Sequence, residues 1–428
     1  MPSGTPLNPV TEPAGRISRA AWMDAPATLR LMMALCGGDD DRGDEARFVG
    51  GCVRDVILNR NGYDIDIATL FPPHEVTRRL QEARIKVIPT GIEHGTVTAV
   101  VDGVAFEITT LRRDVETDGR HAEVAFTDDW REDARRRDFT MNALYCTVRG
   151  EIYDYFGGLA DARQGIVRFI DDPAARIDED VLRILRYYRF YAHYGAQPPI
   201  IEARRACAVR ADDLKQLSAE RVQTETLKLL RADKCADVWK MMQEDGIVNS
   251  ILPEAQKVNV LHHLVNLETG MDIPPFVMRR LSALVGKDMQ AAKAVAERLK
   301  LSKANHTALL KLSDAGINID LNQSLSDWRR MVYYSGRDFT LSALLLTAAR
   351  RSMPMSRVAP VYQAVIQIRI PDFPVTGQDV IKRGIAPGPM IGEALRAVEA
   401  WWVDQDFSPK RSACLAELDA YINNQASR

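Results

Sequence analysis

Apolar residues fall at alternate positions in short runs through the first part of the chain, then shift to helical spacing. Residues 46–51 read as a strand ending in a glycine turn, 52–59 as a short helix, and 64–70 as a second strand. Residues 74–83 have helical spacing. The runs 96–101 and 104–111 flank Asp102-Gly103, a two-residue hairpin signal, and 143–148 and 151–156 flank Arg149-Gly150 in a weaker version of it. The pattern predicts an α/β unit with about five strands and at least two helices. It fails over 112–137, a long, charged insert poor in aliphatic residues, of the kind that is often functional or mobile. From about residue 173 onward nearly everything reads as helix. Residues 181–195 carry apolar positions on one face and arginines on another, and Ser218 reads as the cap of a further helix. Soft boundaries fall near 150, 215 and 300.

At 428 residues the chain exceeds one ordinary core, so two to four units are expected. A hydrophobic fraction of 46% and a charged fraction of 27% describe an ordinary globular protein. No run reaches the roughly 18 apolar residues that a membrane-spanning helix needs. Residues 1–16 are rich in Pro, Gly, Ser and Thr, and they lack the basic and apolar blocks of a secretory signal; a loose tail is expected there. The six cysteines form no CxxC pair, which argues against a zinc knuckle or a disulfide framework and for a reducing compartment. The net charge of −2 gives no hint of nucleic acid, so any RNA contact must come from a local basic patch.

Five motifs carry chemistry. Gly50 and Gly51 at a strand end let backbone amides approach a phosphate, with Arg54 one turn into the next helix; a plain strand–helix turn has the same pattern. Asp64 and Asp66, two apart on a strand, project from one face while Ile65 and Ile67 point to the core. Two adjacent carboxylates repel each other, and divalent cations such as Mg²⁺ relieve that repulsion; a solvated strand end is the plain alternative. Glu107 interrupts an apolar strand, either as a third carboxylate for such a site or as an edge residue in water. Arg136 and Arg137 suit a triphosphate, and Asp138 and Asn142 offer an acceptor and an amide to a ribose hydroxyl; a helix cap beside a basic loop reads equally well. Asp180, Arg183, Arg186 and Arg189 recur every three residues and predict a polar stripe on one helix, for which acid–base pairing in water is an incomplete explanation.

In order, GGCVRD (50–55), DIDIAT (64–69), RRDFTMNAL (136–144), YFGGLADARQGIVR (155–168), EDVLRILRYYRF (179–190) and LSAERV (217–222), followed by Lys228-Leu229-Leu230, resemble the class II tRNA nucleotidyltransferase family of the polymerase-β-like superfamily. The resemblance spans roughly 46–230, and the remainder resembles the family only in being helical. It implies an α+β fold: a small mixed-sheet head, then helical neck, body and tail. The corresponding division is a loose tail at 1–20, head at 21–150, neck at 151–215, body at 216–300 and tail at 301–428. It also implies that Asp64 and Asp66 bind Mg²⁺, that Gly51 and Arg54 bind the incoming triphosphate, and that Arg137 contacts the nucleotide. Asp180 and Arg183 would select the base, with Arg186 and Arg189 beside them, and Glu107 would be the third carboxylate. Cytosine and adenine both present an amine beside a ring nitrogen, so one Asp–Arg pair accepts both and rejects guanine and uracil.

The expected activity is template-independent addition of C, C and A to tRNA from CTP and ATP, in the cytoplasm. The segment Gly91-Ile92-Glu93-His94-Gly95-Thr96 resembles the CCA-adding version, whereas the poly(A) version usually has a more basic segment there. The retained loop at 112–137 argues against a CC-only enzyme. Gly62-Tyr63 departs from the family's frequent Pro-Lys. No His-Asp dipeptide occurs, so no phosphohydrolase domain is expected. A poly(A) polymerase using ATP alone and a non-catalytic RNA-binding protein are the alternatives. The pairs Arg204-Arg205, Arg279-Arg280, Arg329-Arg330 and Arg350-Arg351 are candidates for gripping tRNA, or plain solvated surface.

Overall fold

The computed structural model describes residues 12–36, 45–60, 64–114, 124–314 and 319–426; the departure at Gly62-Tyr63 lies outside the described residues. The chain divides into two units, Met1–Ile251 and Leu252–Arg428. The first contains an 8-stranded sheet in the order Gly15–Arg16, Glu151–Asp154, Leu144–Cys146, Ala46–Val49, Asp66–Thr69, Val104–Thr110, Thr96–Val101 and Lys86–Gly91. Asp66–Thr69 runs parallel to Val104–Thr110, and the other pairings described are antiparallel, which makes the sheet mixed.

Period-two patterning sets the core. In Thr96–Val101, Val97, Ala99 and Val101 are buried while their neighbours are only partly so. These residues pack with Phe48, Ile67, Phe106 and Ile108 under the helices Pro26–Cys36 and Pro73–Glu82, which contribute Leu31, Leu35, Val76 and Leu80. Both hairpins form where expected, with Val101 opposite Val104 and Ile152 opposite Cys146.

Three expectations need correction. The loose tail does not extend to residue 20, because Gly15–Arg16 joins the sheet edge opposite Glu151–Ile152. Residues 1–11 of that tail are outside the described residues. The helix Pro26–Cys36 was not foreseen: its sequence PATLRLMMALC is apolar on nearly every side, so no amphipathic period marks it. The insert is also partly regular. Arg112–Asp114 pairs with Val124–Phe126 as a separate two-stranded ribbon, and Asp129 caps a helix over Trp130–Arg135.

Helices complete the first unit. Leu182–Tyr194 packs along Ala219–Leu229, and Ser218 caps the latter by accepting from the Arg221 amide. The second unit is helical from Val258–Gly270 to Arg411–Ala426. Asp288, Ser302 and Ser324 cap helices there, and Thr376 with Asp379 forms a capping box. Among the described residues, no helix is long and apolar enough to cross a membrane.

Candidate active site

The strand Ala46–Val49 ends at Gly50, whose φ of 73° suits glycine, and the chain turns directly into the helix Gly51–Ile57. That helix presents Arg54, which is only 6% exposed. Its Nε donates to Asp55 Oδ1 at 2.9 Å, its Nη1 to Asn142 Oδ1 at 2.5 Å and its Nη2 to the Tyr194 hydroxyl at 2.7 Å. The guanidinium is thus fixed in orientation while its charge faces the cavity.

Asp66 opens its strand, and Asp64 lies two residues ahead of it, before the strand begins. Both line the cavity, while Ile65 and Ile67 are buried as alternation predicts. The parallel register sets Asp66 against Glu107. Burial, then the negative charges of Glu107 and Asp64, push the Asp66 carboxyl up to about 6 against the pull of Arg137. This is the charge crowding that a bound cation relieves. Glu107 itself is exposed and does not line the cavity. Among the described residues no cluster of three or more His, Cys, Asp or Glu is positioned to hold a metal. The donor set therefore fits a cation held by two carboxylates plus substrate phosphates, the usual pattern for Mg²⁺, and it does not fit an all-protein cage.

Arg136 and Arg137 are aimed by one residue from the insert. Asp133, 1% exposed, accepts from Arg136 at 2.9 Å, Arg137 at 3.1 Å and the Tyr145 hydroxyl at 2.7 Å. Burial alone would raise its carboxyl, but Arg137, Arg136 and the hydroxyl hold it at about 2. Asp138 is also buried and internally occupied. It accepts from Asn142 at 2.9 Å and from Arg186 at 2.6 Å, and it lines the same cavity as the arginines.

The four-residue stripe needs a correction. Asp180 is not on the helix: it lies in extended backbone (φ −154°) between Pro173–Glu179 and Leu182–Tyr194. Its side chain accepts from the Leu182 amide at 3.1 Å and its carbonyl from the Arg183 amide at 2.9 Å, so it caps the start of Leu182–Tyr194 from outside the helix. Arg221 donates to both of its oxygens, at 2.9 and 2.7 Å. Arg183 donates to the carbonyls of Arg136 and Arg176, at 2.8 and 2.9 Å, and to Glu179. Arg189 is paired with Glu225. Phe190 lies beneath Arg54, Arg186 and Arg189, with centroid distances of 5.2, 5.5 and 4.3 Å.

These groups surround one cavity of about 650 Å³, lined by every candidate named from the sequence except Glu107. Arg112 lines it too without any motif to mark it, as do Asp55 and Lys228, which the sequence offered within its motifs but without a role. The sequence assigned no role to the supporting Asp133, Tyr194, Arg221 and Glu225. Asp133 could have been found from its spacing, three and four residues before Arg136 and Arg137; Tyr194, Arg221 and Glu225 meet partners 140, 41 and 36 residues away, which no local pattern marks.

The basic pairs do not behave as a class. Arg279 and Arg280 are 5% and 2% exposed and share the buried carboxylate of Glu268, so they are core groups and not an RNA-gripping surface. Arg329 and Arg330 pair with Asp406 and Asp404, and Arg204 pairs with Asp245.

Residues 46–168 match the family model of the poly A polymerase head domain. Residues 201–258 match that of the "Probable RNA and SrmB- binding site of polymerase A", and 279–418 that of tRNA nucleotidyltransferase domain 2. A CCA tRNA nucleotidyltransferase 1, mitochondrial, of Danio rerio is 33% identical over 381 residues, 87% of each chain. A CCA-adding enzyme of Levilactobacillus brevis is 32% identical over 386 residues, covering 89% of this chain and 94% of its own. The crystal structure of the Bacillus stearothermophilus CCA-adding enzyme in complex with CTP superposes with a TM-score of 0.71 at 26% identity, over 94% of this chain and 98% of that one. The Thermotoga maritima CCA-adding enzyme complexed with tRNA shares the fold, with a TM-score of 0.61 at 19% identity, over 93% of this chain and 96% of its own.

Proposed function

The chain belongs to the CCA tRNA nucleotidyltransferase family, and from that membership we propose that it adds C, C and A to the 3′ end of tRNA, consuming CTP and ATP and releasing pyrophosphate. The observation that carries the reading is the meeting of Asp64 and Asp66 with the Arg183–Arg189 helix across one cavity. A nucleotide spans such a space with its phosphates at the carboxylates and its base at the helix.

Asp64 and Asp66 would hold Mg²⁺, which when bound polarises the attacking hydroxyl and the departing phosphates. Arg54, Arg136 and Arg137 supply fixed positive charge for the triphosphate, already oriented by Asp55, Asn142 and Asp133. Asp180 accepts from the exocyclic amine of cytosine or adenine while Arg183 donates to the ring nitrogen. For that, both exchange part of their present bonding to Arg221, Glu179 and backbone carbonyls. Glu107 acts on Asp66 through its charge. The helical body and tail grip tRNA by shape and phosphate contacts. We place the protein in the cytoplasm, where its six buried free cysteines stay reduced.

The test is incubation with tRNA lacking its 3′ CCA and labelled CTP and ATP. Sequential incorporation of C, C and A is expected. Elongation by ATP alone would make it a poly(A) polymerase, and RNA binding without pyrophosphate release would make it a binding protein.

A further inference from the structure

Tyr194 ends the arginine-bearing helix Leu182–Tyr194 and does not itself line the cavity. Its hydroxyl accepts from Arg54 Nη2 at 2.7 Å and donates to Asp55 Oδ1 at 3.3 Å. Its ring lies under the Arg54 guanidinium at 4.2 Å and under that of Arg60 at 4.6 Å. Next to it, Arg60 Nη2 donates to the His193 carbonyl at 2.6 Å. One residue therefore clamps both the plane and the direction of Arg54, across 140 positions of sequence. A buried guanidinium that loses one acceptor keeps its charge but not its aim.

We propose that Tyr194 is a positioning residue that fixes Arg54 for the triphosphate and so couples phosphate binding to the helix that faces the base. The proposal rests on the nucleotidyltransferase reading above. Because the triphosphate is common to both substrates, Tyr194 acts equally on CTP and ATP and does not discriminate between bases. The phenol supplies two separable elements: the ring, which stacks on the cations, and the hydroxyl, which sets the direction.

Steady-state kinetics on the full chain tests this, with CTP on tRNA lacking CCA and with ATP on tRNA ending in CC. Tyr194→Phe keeps the ring and removes only the hydroxyl. The expected result is a rise in KM of about five- to tenfold for both nucleotides, with kcat and the KM for tRNA held and the thermal midpoint lowered by no more than a few degrees. In an Arg54→Lys background, Tyr194→Phe should add less than about a twofold change, because the two side chains act as one unit. Unchanged nucleotide KM values would overturn the proposal, as would a rise for one nucleotide only, additive effects in the double variant, or a loss carried by kcat with the nucleotide KM values held. If the wild-type protein incorporates neither nucleotide, the functional reading falls and this proposal with it. If the wild type is active, the variants judge Tyr194 alone.

Discussion

Asp66 is costly to the fold, and the proposed chemistry needs it. Its carboxyl sits at about 6 because burial, Glu107 and Asp64 disfavour its charge. At neutral pH the fold therefore holds an ionised group that it would rather keep protonated. Asp66→Asn removes that cost, so the metal-free variant should gain about 1–2 kcal/mol and melt a few degrees higher than the wild type. The same substitution should abolish nucleotide incorporation while leaving tRNA affinity within about threefold. Melting curves without metal and labelled-nucleotide assays check both halves, and an active variant would refute the role given to Asp66. Arg183 carries a different prediction. Its guanidinium is held by backbone carbonyls and Glu179, so Arg183→Ala should loosen base choice more than phosphate binding. Misincorporation of UTP and GTP on truncated tRNA should rise by about tenfold or more relative to CTP and ATP.

Among elements, the helix Trp130–Arg135 is the least conspicuous in sequence and among the most consequential. It delivers the buried Asp133, which gathers Arg136, Arg137 and the Tyr145 hydroxyl. Asp133→Asn leaves shape intact but removes the charge opposing two arginines. It should cost about 3 kcal/mol in stability and raise the KM for both nucleotides by about tenfold. The pH dependence has a definite sign. The folded-state carboxyl lies at about 2, below its unfolded value, so its contribution is fully present above about pH 4 and is lost as pH falls toward 2. Acid titration of wild type and Asp133→Asn should show their stabilities converging in that window. Divergence there would contradict the assignment.

At the scale of the whole molecule, the cavity is lined by residues of the first unit, and the second unit has a core cluster of its own around Val380, Val398, Trp402 and Leu418. The buried interior of that unit is partly polar: Glu268 is 1% exposed and accepts from Arg279 and Arg280, each at 2.7 Å. Glu268→Gln takes away their shared counter-charge and should destabilise this unit by about 3–5 kcal/mol. The KM for CTP should stay within about twofold, because no side chain of the cavity is touched. Calorimetry of the full chain, with nucleotide kinetics on the same preparation, separates the two effects.

Local chemistry in the sequence determined much of this protein. Alternation placed the hairpin strands, Ser218 announced its helix, and the Gly50–Asp55 and Asp64–Asp66 spacings named the residues that the cavity gathers. These are short-range properties, set by pleat, cap and turn within a few residues. Tertiary structure alone decided the partners. It put Arg221 on Asp180, Glu225 on Arg189, Tyr194 under Arg54, and Arg279 with Arg280 inside a core instead of on a surface. It also took Asp180 off the helix and left Glu107 outside the cavity. A charge in a sequence does not reveal whether water or another side chain will satisfy it. Only the packing of distant segments answers that, and at this site the answer decides which arginines are held in place and where they aim.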